Sequence, residues 1–256
     1  MPHRIDLNCD LGEGYGPWTP ADDASLLEVA SSASLACGFH AGDPATMRRT
    51  VRLALERGVA IGAHPSLPDL QGFGRREMAI TPEEAYELTL YQVGALHAFV
   101  KAAGGRLSHV KPHGSLYNQA ARDARLAEGI ARAVRDFDRS LYLYGLSGSE
   151  LTAAGERLGV PVVYEAFADR AYLPDGKLVP RGEMGAVIHD GEEAAARVLD
   201  MVLKGGVKAS DGAWLSLRAD TVCIHGDHPG AVERARTLRA ALEAAGSAIA
   251  APKSRP

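Results

Sequence analysis

The chain has 256 residues, 46% hydrophobic and 23% charged, which is room for one barrel-sized domain with a sizeable core. A formal net charge of -4, with basic residues scattered along the chain, argues against a nonspecific nucleic-acid binder. No stretch reads as a membrane span or signal core, and three cysteines without paired spacing read as buried reduced thiols in a cytoplasmic setting.

In chain order, a strand at Asp6–Asp10 leads to a helix opened by Thr19-Pro20-Ala21-Asp22. A second strand, Ser34–His40, meets a helix that starts at Asp43-Pro44 and stops at Gly58. Ile61–His64 follows, then a long loop, Ser66–Arg76, and a helix from the capping box Thr81-Pro82-Glu83-Glu84 to about Ala103. His109–His113 is the fourth strand, with its helix capped by Asp123 and striped by Leu126, Ile130, Ala133, Val134 and Phe137. Leu141–Tyr144 is the fifth, followed by a helix from a capping box at Ser147-Gly148-Ser149-Glu150 to Gly159. Val163–Asp169 is the sixth. After it, residues 170–189 hold the turn signal Leu173-Pro174-Asp175-Gly176 and precede a helix opened by Asp190. Cys223–Asp227 is the seventh strand, its helix starting at His228-Pro229. The tail 251–256 is expected to fray, leaving residues 1–250 as one domain.

Strict alternation of strand and helix means a parallel sheet with right-handed crossovers. No G-x-G-x-x-G follows the first strand, so a dinucleotide-binding open sheet has little support. The strand ends favour a closed seven-stranded parallel β/α barrel. Side chains alternate across a strand, so Asp6, Asn8 and Asp10 share one face, as do His109, Lys111 and His113, and His225 and Asp227. Parallel strands under helices are ordinarily apolar on both faces. Charged ends on strand after strand point to one polar site at the barrel mouth, and so to an enzyme.

Asp10 and Glu13 offer carboxylates that can act as base, hold a metal or orient a histidine. The bland alternative is that they bind loop N–H groups. His40, His64, His113 and His225 each end a different strand, and together they supply acid–base or metal-ligating capacity. Lys111 must be paired or must work on an anion, and Glu165, Asp169 and Asp227 are at hand. The Gly72–Arg76 loop brings Arg75 and Arg76, and Arg170 and Arg181 flank the second loop; each either meets an anion or stays solvated. Asp43 reads as a plain helix cap.

D-L-N-C-D-L-G-E at 6–13, S-L-A-C-G-F-H-A-G-D-P at 34–44, G-A-H-P-S-L-P-D-L-Q-G-F-G-R-R at 62–76, V-K-P-H-G-S-L-Y-N at 110–118, E-A-F-A-D-R-A-Y at 165–172 and C-I-H-G-D at 223–227 closely resemble the LamB/YcsF family. The resemblance spans nearly the whole chain. It implies a seven-stranded β/α barrel akin to polysaccharide deacetylases, and the A-subunit role in bacterial 5-oxoprolinase. The implied reaction is ATP-dependent opening of 5-oxoproline to L-glutamate with ADP and phosphate, with Mg²⁺ accompanying ATP and with partner subunits B and C. The site residues themselves rest on the strand-end argument. Asp10, His64, Lys111, His113, Glu165 and His225 are the catalytic candidates. Asn8, Glu13, His40, Arg75, Arg76, Asp169, Arg170, Arg181 and Asp227 are the substrate- or phosphate-binding candidates.

Two rivals stay open. One is a metal-dependent amidase or deacetylase holding its ion on Asp10, His64 and His113, against which Lys111 in the same mouth speaks. The other is a non-catalytic scaffold role. No nucleic-acid or membrane partner is expected, and homo-oligomerisation is left open.

Overall fold

Apolar residues on the outer face of each barrel strand and apolar stripes on the helices meet in one continuous core, and this pairing sets the architecture. The computed structural model describes residues 3–18, 22–224 and 230–253. The elements run β1 (Arg4–Leu11), α1 (Asp23–Leu26), β2 (Ser32–Ala36), α2 (Pro44–Glu56), β3 (Ala60–His64), α3 (Pro82–Ala102) and β4 (Leu107–Val110). Then come α4 (Gly114–Arg122), α5 (Ala124–Phe137), β5 (Tyr142–Leu146), α6 (Glu150–Arg157), β6 (Val162–Phe167) and α7 (Gly191–Leu199). The chain continues through a hairpin of β7 (Gly206–Lys208) and β8 (Trp214–Ser216), then β9 (Thr221–Ile224), α8 (Ala231–Ala244) and β10 (Ala248–Ile249).

β1, β2, β3, β4, β5, β6 and β9 pair in that order, all parallel, and β9 pairs back onto β1. The ring is a closed seven-stranded barrel, as the strand count predicts. β10 extends the start of β1 outside the ring. Ile5, Leu7, Cys9 and Leu11 of β1 join the apolar layer with Leu35, Ile61, Val110, Leu143 and Val222, beneath Val51, Leu96, Ile130 and Leu238 of the helices. Among the described residues no helix is long and apolar enough to cross a membrane.

The interior of the ring is polar, whereas barrels of this kind are ordinarily filled by branched apolar side chains. At its base Asp6 accepts hydrogen bonds from Ser31 (2.6 Å), Ser32 (2.7 Å), Thr221 (2.7 Å) and Tyr144 (3.0 Å). The Asp6 carboxylate is thus solvated by hydroxyls in place of water. Above it, His109 lies between Ser108 (2.7 Å) and Ser34 (3.2 Å) and stacks on Tyr144 with centroids 4.1 Å apart.

Local signals hold in several places. Asp43, Asp123 and Asp190 cap their helices, and Thr81 and Glu84 form the reciprocal capping box. Leu173 N–H donates to the Lys177 carbonyl at 2.7 Å around the expected turn. Others move. Asp22 caps α1, accepting from Ser25 N, while Thr19–Ala21 lie outside the described residues. Ser149, two residues later than expected, caps α6. Three elements carry signals too weak to read from the sequence: α4, marked only by Leu116 and Ala120 one turn apart, the β7–β8 hairpin, and β10. All three cysteines are free and buried. Burial raises the Cys9 and Cys223 thiols well above their ordinary range and pushes Cys37 up to about 12, so each stays protonated.

Gly62 tests the interior packing. A Cβ built there would stand 2.1 Å from His109 Nε2, in a ring already fixed on both edges and one face. Gly62→Ala is expected to cost about 1–3 kcal/mol by overpacking, measured by denaturant unfolding. An unchanged midpoint would refute this account of the interior.

Candidate functional site

The site begins with Lys111, one residue beyond β4, where its N–H donates to the Ala63 carbonyl at 2.9 Å. Its Nζ lies 2.6 Å from Asp10 Oδ1, 2.7 Å from Asn8 Oδ1, 3.1 Å from Glu165 Oε1 and 3.3 Å from Cys223 Sγ. Burial alone would favour loss of its proton, but Asp10 and Glu165 outweigh burial and hold its pKa well above the ordinary lysine value. Of the two roles open to Lys111 from the sequence, internal pairing is the one the structure displays. Glu165 is equally enclosed: Asn8 Nδ2 donates to Oε1 at 3.0 Å, and the Tyr117 hydroxyl donates to Oε2 at 2.7 Å. Burial first, then the Glu165 charge, raises Tyr117 well above its ordinary pKa and keeps it a donor.

Beside this cage stand three histidines and Glu13. His64 Nδ1 faces the Lys111 carbonyl at 2.7 Å, and His113 Nε2 faces the Phe73 carbonyl at 2.8 Å. A carbonyl only accepts, so both of these nitrogens carry hydrogen. In the neutral rings the opposite nitrogens, His64 Nε2 and His113 Nδ1, then present lone pairs to each other 3.0 Å apart. Burial, with His40 and His64 adding to it, drives His113 well below its ordinary pKa, and burial takes His40 to about 3. A cation, whether a shared proton or a metal ion, is what satisfies such a pair.

The surrounding acceptors agree. Glu13 Oε1 lies 3.3 Å from His40 Nε2 and 3.4 Å from His113 Nδ1, and Asp10 Oδ2 lies 3.3 Å from His64 Nε2. Ligand atoms of Glu13, His40, His64 and His113 all fall within 4.8 Å of one another, a grouping that can hold a metal ion. Two nitrogens about 2.1 Å from one ion and at right angles around it would be about 3 Å apart. The anticipated ligand set of Asp10, His64 and His113 is therefore revised: Glu13 and His40 join the histidines, and Asp10 stands between them and Lys111. That position answers the objection of a cation beside a cation, because Asp10 separates the two.

The Gly-rich loop serves this cluster more than it cradles an anion. Asp69 ties it by accepting from Gly72 N at 2.9 Å and Arg76 Nε at 2.8 Å. Phe73 adopts a φ of 54°, unusual for a residue with a side chain, and so aims its carbonyl at His113. A Cβ on Gly74 would stand 2.3 Å from Ser66 Oγ and 2.9 Å from His40 and His113, so only glycine lets the loop lie this close.

A cavity of about 420 Å³ opens over Asp10, His64, Lys111, His113 and Glu165. Its rim carries Arg75, Arg122, Lys177 and Arg181, and Arg170 is buried in its wall. Of the candidates read from the sequence, Asn8, Asp10, Glu13, His40, His64, Lys111, His113 and Glu165 come together, and Arg75, Arg170 and Arg181 line the cavity. Arg76 does not line it, because its guanidinium closes the loop onto Asp69. Asp169 sits just past β6 with its carbonyl on Ile188 N–H, and it too is absent from the cavity wall. His225 and Asp227 lie outside the described residues. Sequence reasoning missed Tyr117, Arg122 and Lys177. Tyr117 alone had a signal, lying four residues after His113 in a conspicuous block.

The LamB/YcsF family profile matches residues 5–255. A Methylococcus capsulatus protein, named as a 5-oxoprolinase A chain, is 57% identical over 98% of this chain and 96% of its own length. A Bacillus subtilis protein of the same name is 54% identical over 97% of this chain and 96% of its own. The crystal structure of a lactam utilization protein from Thermus thermophilus superposes with a TM-score of 0.92 at 52% identity, covering 97% of this chain and all of that one. A peptidoglycan N-acetylglucosamine deacetylase catalytic domain from Eubacterium rectale shares the fold alone, at TM-score 0.52 and 13% identity over 100% of this chain and 91% of that one.

His109, in the layer beneath the cage, gives the site a pH signature. Burial, with the Lys111 charge adding to it, lowers its pKa to about 3. Unfolded histidine titrates near about 6.5, so between these values the unfolded chain binds more protons. Stability is complete above about pH 6.5 and falls by about 1.4 kcal/mol per pH unit for this residue as pH drops towards 3. Unfolding followed across that range should show the loss, and His109→Gln should flatten the slope by about one proton. An equal slope in both proteins would contradict the assignment.

Proposed function

The chain belongs to the LamB/YcsF family, and on that premise we propose that it fills the A-subunit role of a 5-oxoprolinase, opening 5-oxoproline to L-glutamate with hydrolysis of ATP. It does so in complex with B and C subunits. The observation that carries this reading is the convergence of Asp10, His64, Lys111 and His113 at one end of the barrel, under a cavity with an arginine-rich rim.

A five-membered lactam is an unactivated amide. Transfer of the γ-phosphoryl group of ATP to the lactam oxygen releases ADP and makes the ring carbon electrophilic. Water adds at that carbon, the C–N bond breaks, and the nitrogen leaves as an amine, taking a proton. A second water releases phosphate from the acyl phosphate that remains. Mg²⁺ accompanies the nucleotide.

The side chains suit these demands. His113, neutral and fixed through Phe73, presents Nδ1 as the base that takes a proton from water. Asp10 orients His64 and favours positive charge on that pair. Lys111, its donors already engaged, acts as a fixed positive charge beneath the carbonyl where negative charge develops. Arg75 and Arg181 on the rim meet the transferring phosphoryl group.

Removing a general base costs on the order of a hundredfold or more in rate. Asp10→Asn and His113→Ala should each cut glutamate formation by the assembled enzyme by at least about that factor. Asp10 also pairs with a buried ammonium, so His113→Ala, checked for native unfolding and for assembly with its partners, is the decisive variant. Turnover near the wild-type rate in both variants would leave the scaffold reading instead.

A second reading is favoured by the facing lone pairs of His64 and His113: Glu13, His40, His64 and His113 hold a divalent ion. Such an ion would supply Lewis-acid activation of water. It predicts near-stoichiometric metal in the purified chain, and a lower melting temperature once a chelator has removed it. Metal-free protein of undiminished stability and activity would exclude it.

A further inference from the structure

Arg170 differs from the other cations of the cavity. It follows β6 by three residues, is held by a bridge to Val187, and is 5% exposed. Its Nη2 donates to the Val179 carbonyl at 2.6 Å, while its buried Nε has no acceptor. Among the described residues no carboxylate comes within ion-pair distance of the guanidinium. Asp169 attracts it only at longer range; burial, and after it Arg181, bring its pKa down to about 10, so it is still charged at neutral pH. Lys111, also buried, is the contrast, with two carboxylates within 3.1 Å. A buried cation without an anion is an unfavourable arrangement, and one that opens on a cavity can be completed by what enters the cavity.

We propose that Arg170 is the carboxylate anchor of the cavity, binding the carboxylate of a small cyclic lactam acid and thereby setting its substrate class as anionic. This rests on the reading of the cavity as the 5-oxoproline site and adds which group recognises which end of the molecule. A lone guanidinium, flanked by Phe167, Leu178 and Pro180 in the same wall, suits the single charge and two coplanar oxygens of a carboxylate. A phosphate carries more charge and is better served by the several exposed cations of the rim. Val179 belongs to the segment whose Lys177, Leu178, Pro180 and Arg181 complete the wall. The anchored carboxylate would therefore also tie this segment down over the ligand.

Calorimetric titration tests this, on the chain alone and on its assembly with the partner subunits. The probes are 5-oxoproline, cyclopentanecarboxylate (a carboxylate without the lactam), 2-pyrrolidone (the lactam without the carboxylate) and inorganic phosphate. Wild type should bind 5-oxoproline, bind cyclopentanecarboxylate more weakly, and leave 2-pyrrolidone unbound. Arg170→Met should weaken both carboxylates by roughly ten- to a hundredfold, and Arg170→Lys by less. Ligand-free Arg170→Met should melt no lower than wild type, because it loses an uncompensated charge. The anchor is refuted if Arg170→Met keeps its 5-oxoproline affinity, if 2-pyrrolidone binds as tightly as 5-oxoproline, if the Arg170-dependent ligand is phosphate, or if no carboxylate binds to chain or assembly. Arg170-dependent binding with no preference for 5-oxoproline over cyclopentanecarboxylate would uphold the anchor and refute the substrate reading. Tight 5-oxoproline binding insensitive to Arg170 would do the reverse.

Discussion

An ammonium group at the centre of a closed barrel has to be surrounded by acceptors, and most of the interior of this protein follows from that requirement. Lys111 brings Asp10, Glu165 and Asn8 to within 3.1 Å of Nζ. Removing one partner of a buried ion pair typically costs about 3–5 kcal/mol, so these residues are held as a set. The order continues downward. Asn8 accepts from Lys111 through Oδ1 and so donates through Nδ2 to Glu165 and Thr221. Thr221, having accepted from Asn8, donates to Asp6. A run of hydrogen bonds with one polarity thus links the mouth of the barrel to its base, and a barrel that cannot be apolar inside is made rigid by satisfying the charges along that run.

The same logic shapes the histidine cluster, with backbone carbonyls in the controlling role. The Lys111 carbonyl fixes the His64 tautomer and the Phe73 carbonyl fixes that of His113. Ring orientation is thereby set before any ligand arrives, which is what a catalytic or metal-binding pair requires. Phe73 accepts a positive φ to do this, and its ring packs edge-on against His40 and His113. The Gly-rich loop, in sequence an anion cradle, is therefore chiefly the wall that positions the histidines, with Arg75 projecting into the cavity.

The long segment after β6 completes the arrangement. Its bridges at Arg170–Val187 and Tyr172–Leu178 make an ordered flap out of what would otherwise be a loop of about twenty residues, long for a compact domain. Tyr172 roots it, its hydroxyl accepting from Phe167 N–H at 2.8 Å. The rim cations Lys177 and Arg181 thus sit on a folded support next to the strand that carries Glu165.

The alternation of strands and helices, the barrel and the identity of its polar end are all legible in the residues alone, because they follow from periodicity and caps that act within a few positions. Asp10, His64, Lys111 and His113 are legible for the same reason: period-two alternation at a strand end fixes the face. Who pairs with whom is a matter of the packed molecule. Asp10 and Glu165 are 155 positions apart in the sequence, and nothing local says that both reach one lysine or that Asp10 bridges to His64. Local pattern equally could not show that Glu13 and His40 join the histidines, that Arg76 turns back on Asp69, or that Arg170 is buried beside a cavity with no carboxylate against it. Those outcomes depend on where loops of unlike length come to rest against a closed ring, and on charge compensation across it. Both are properties of the packed interior that no short stretch of sequence contains.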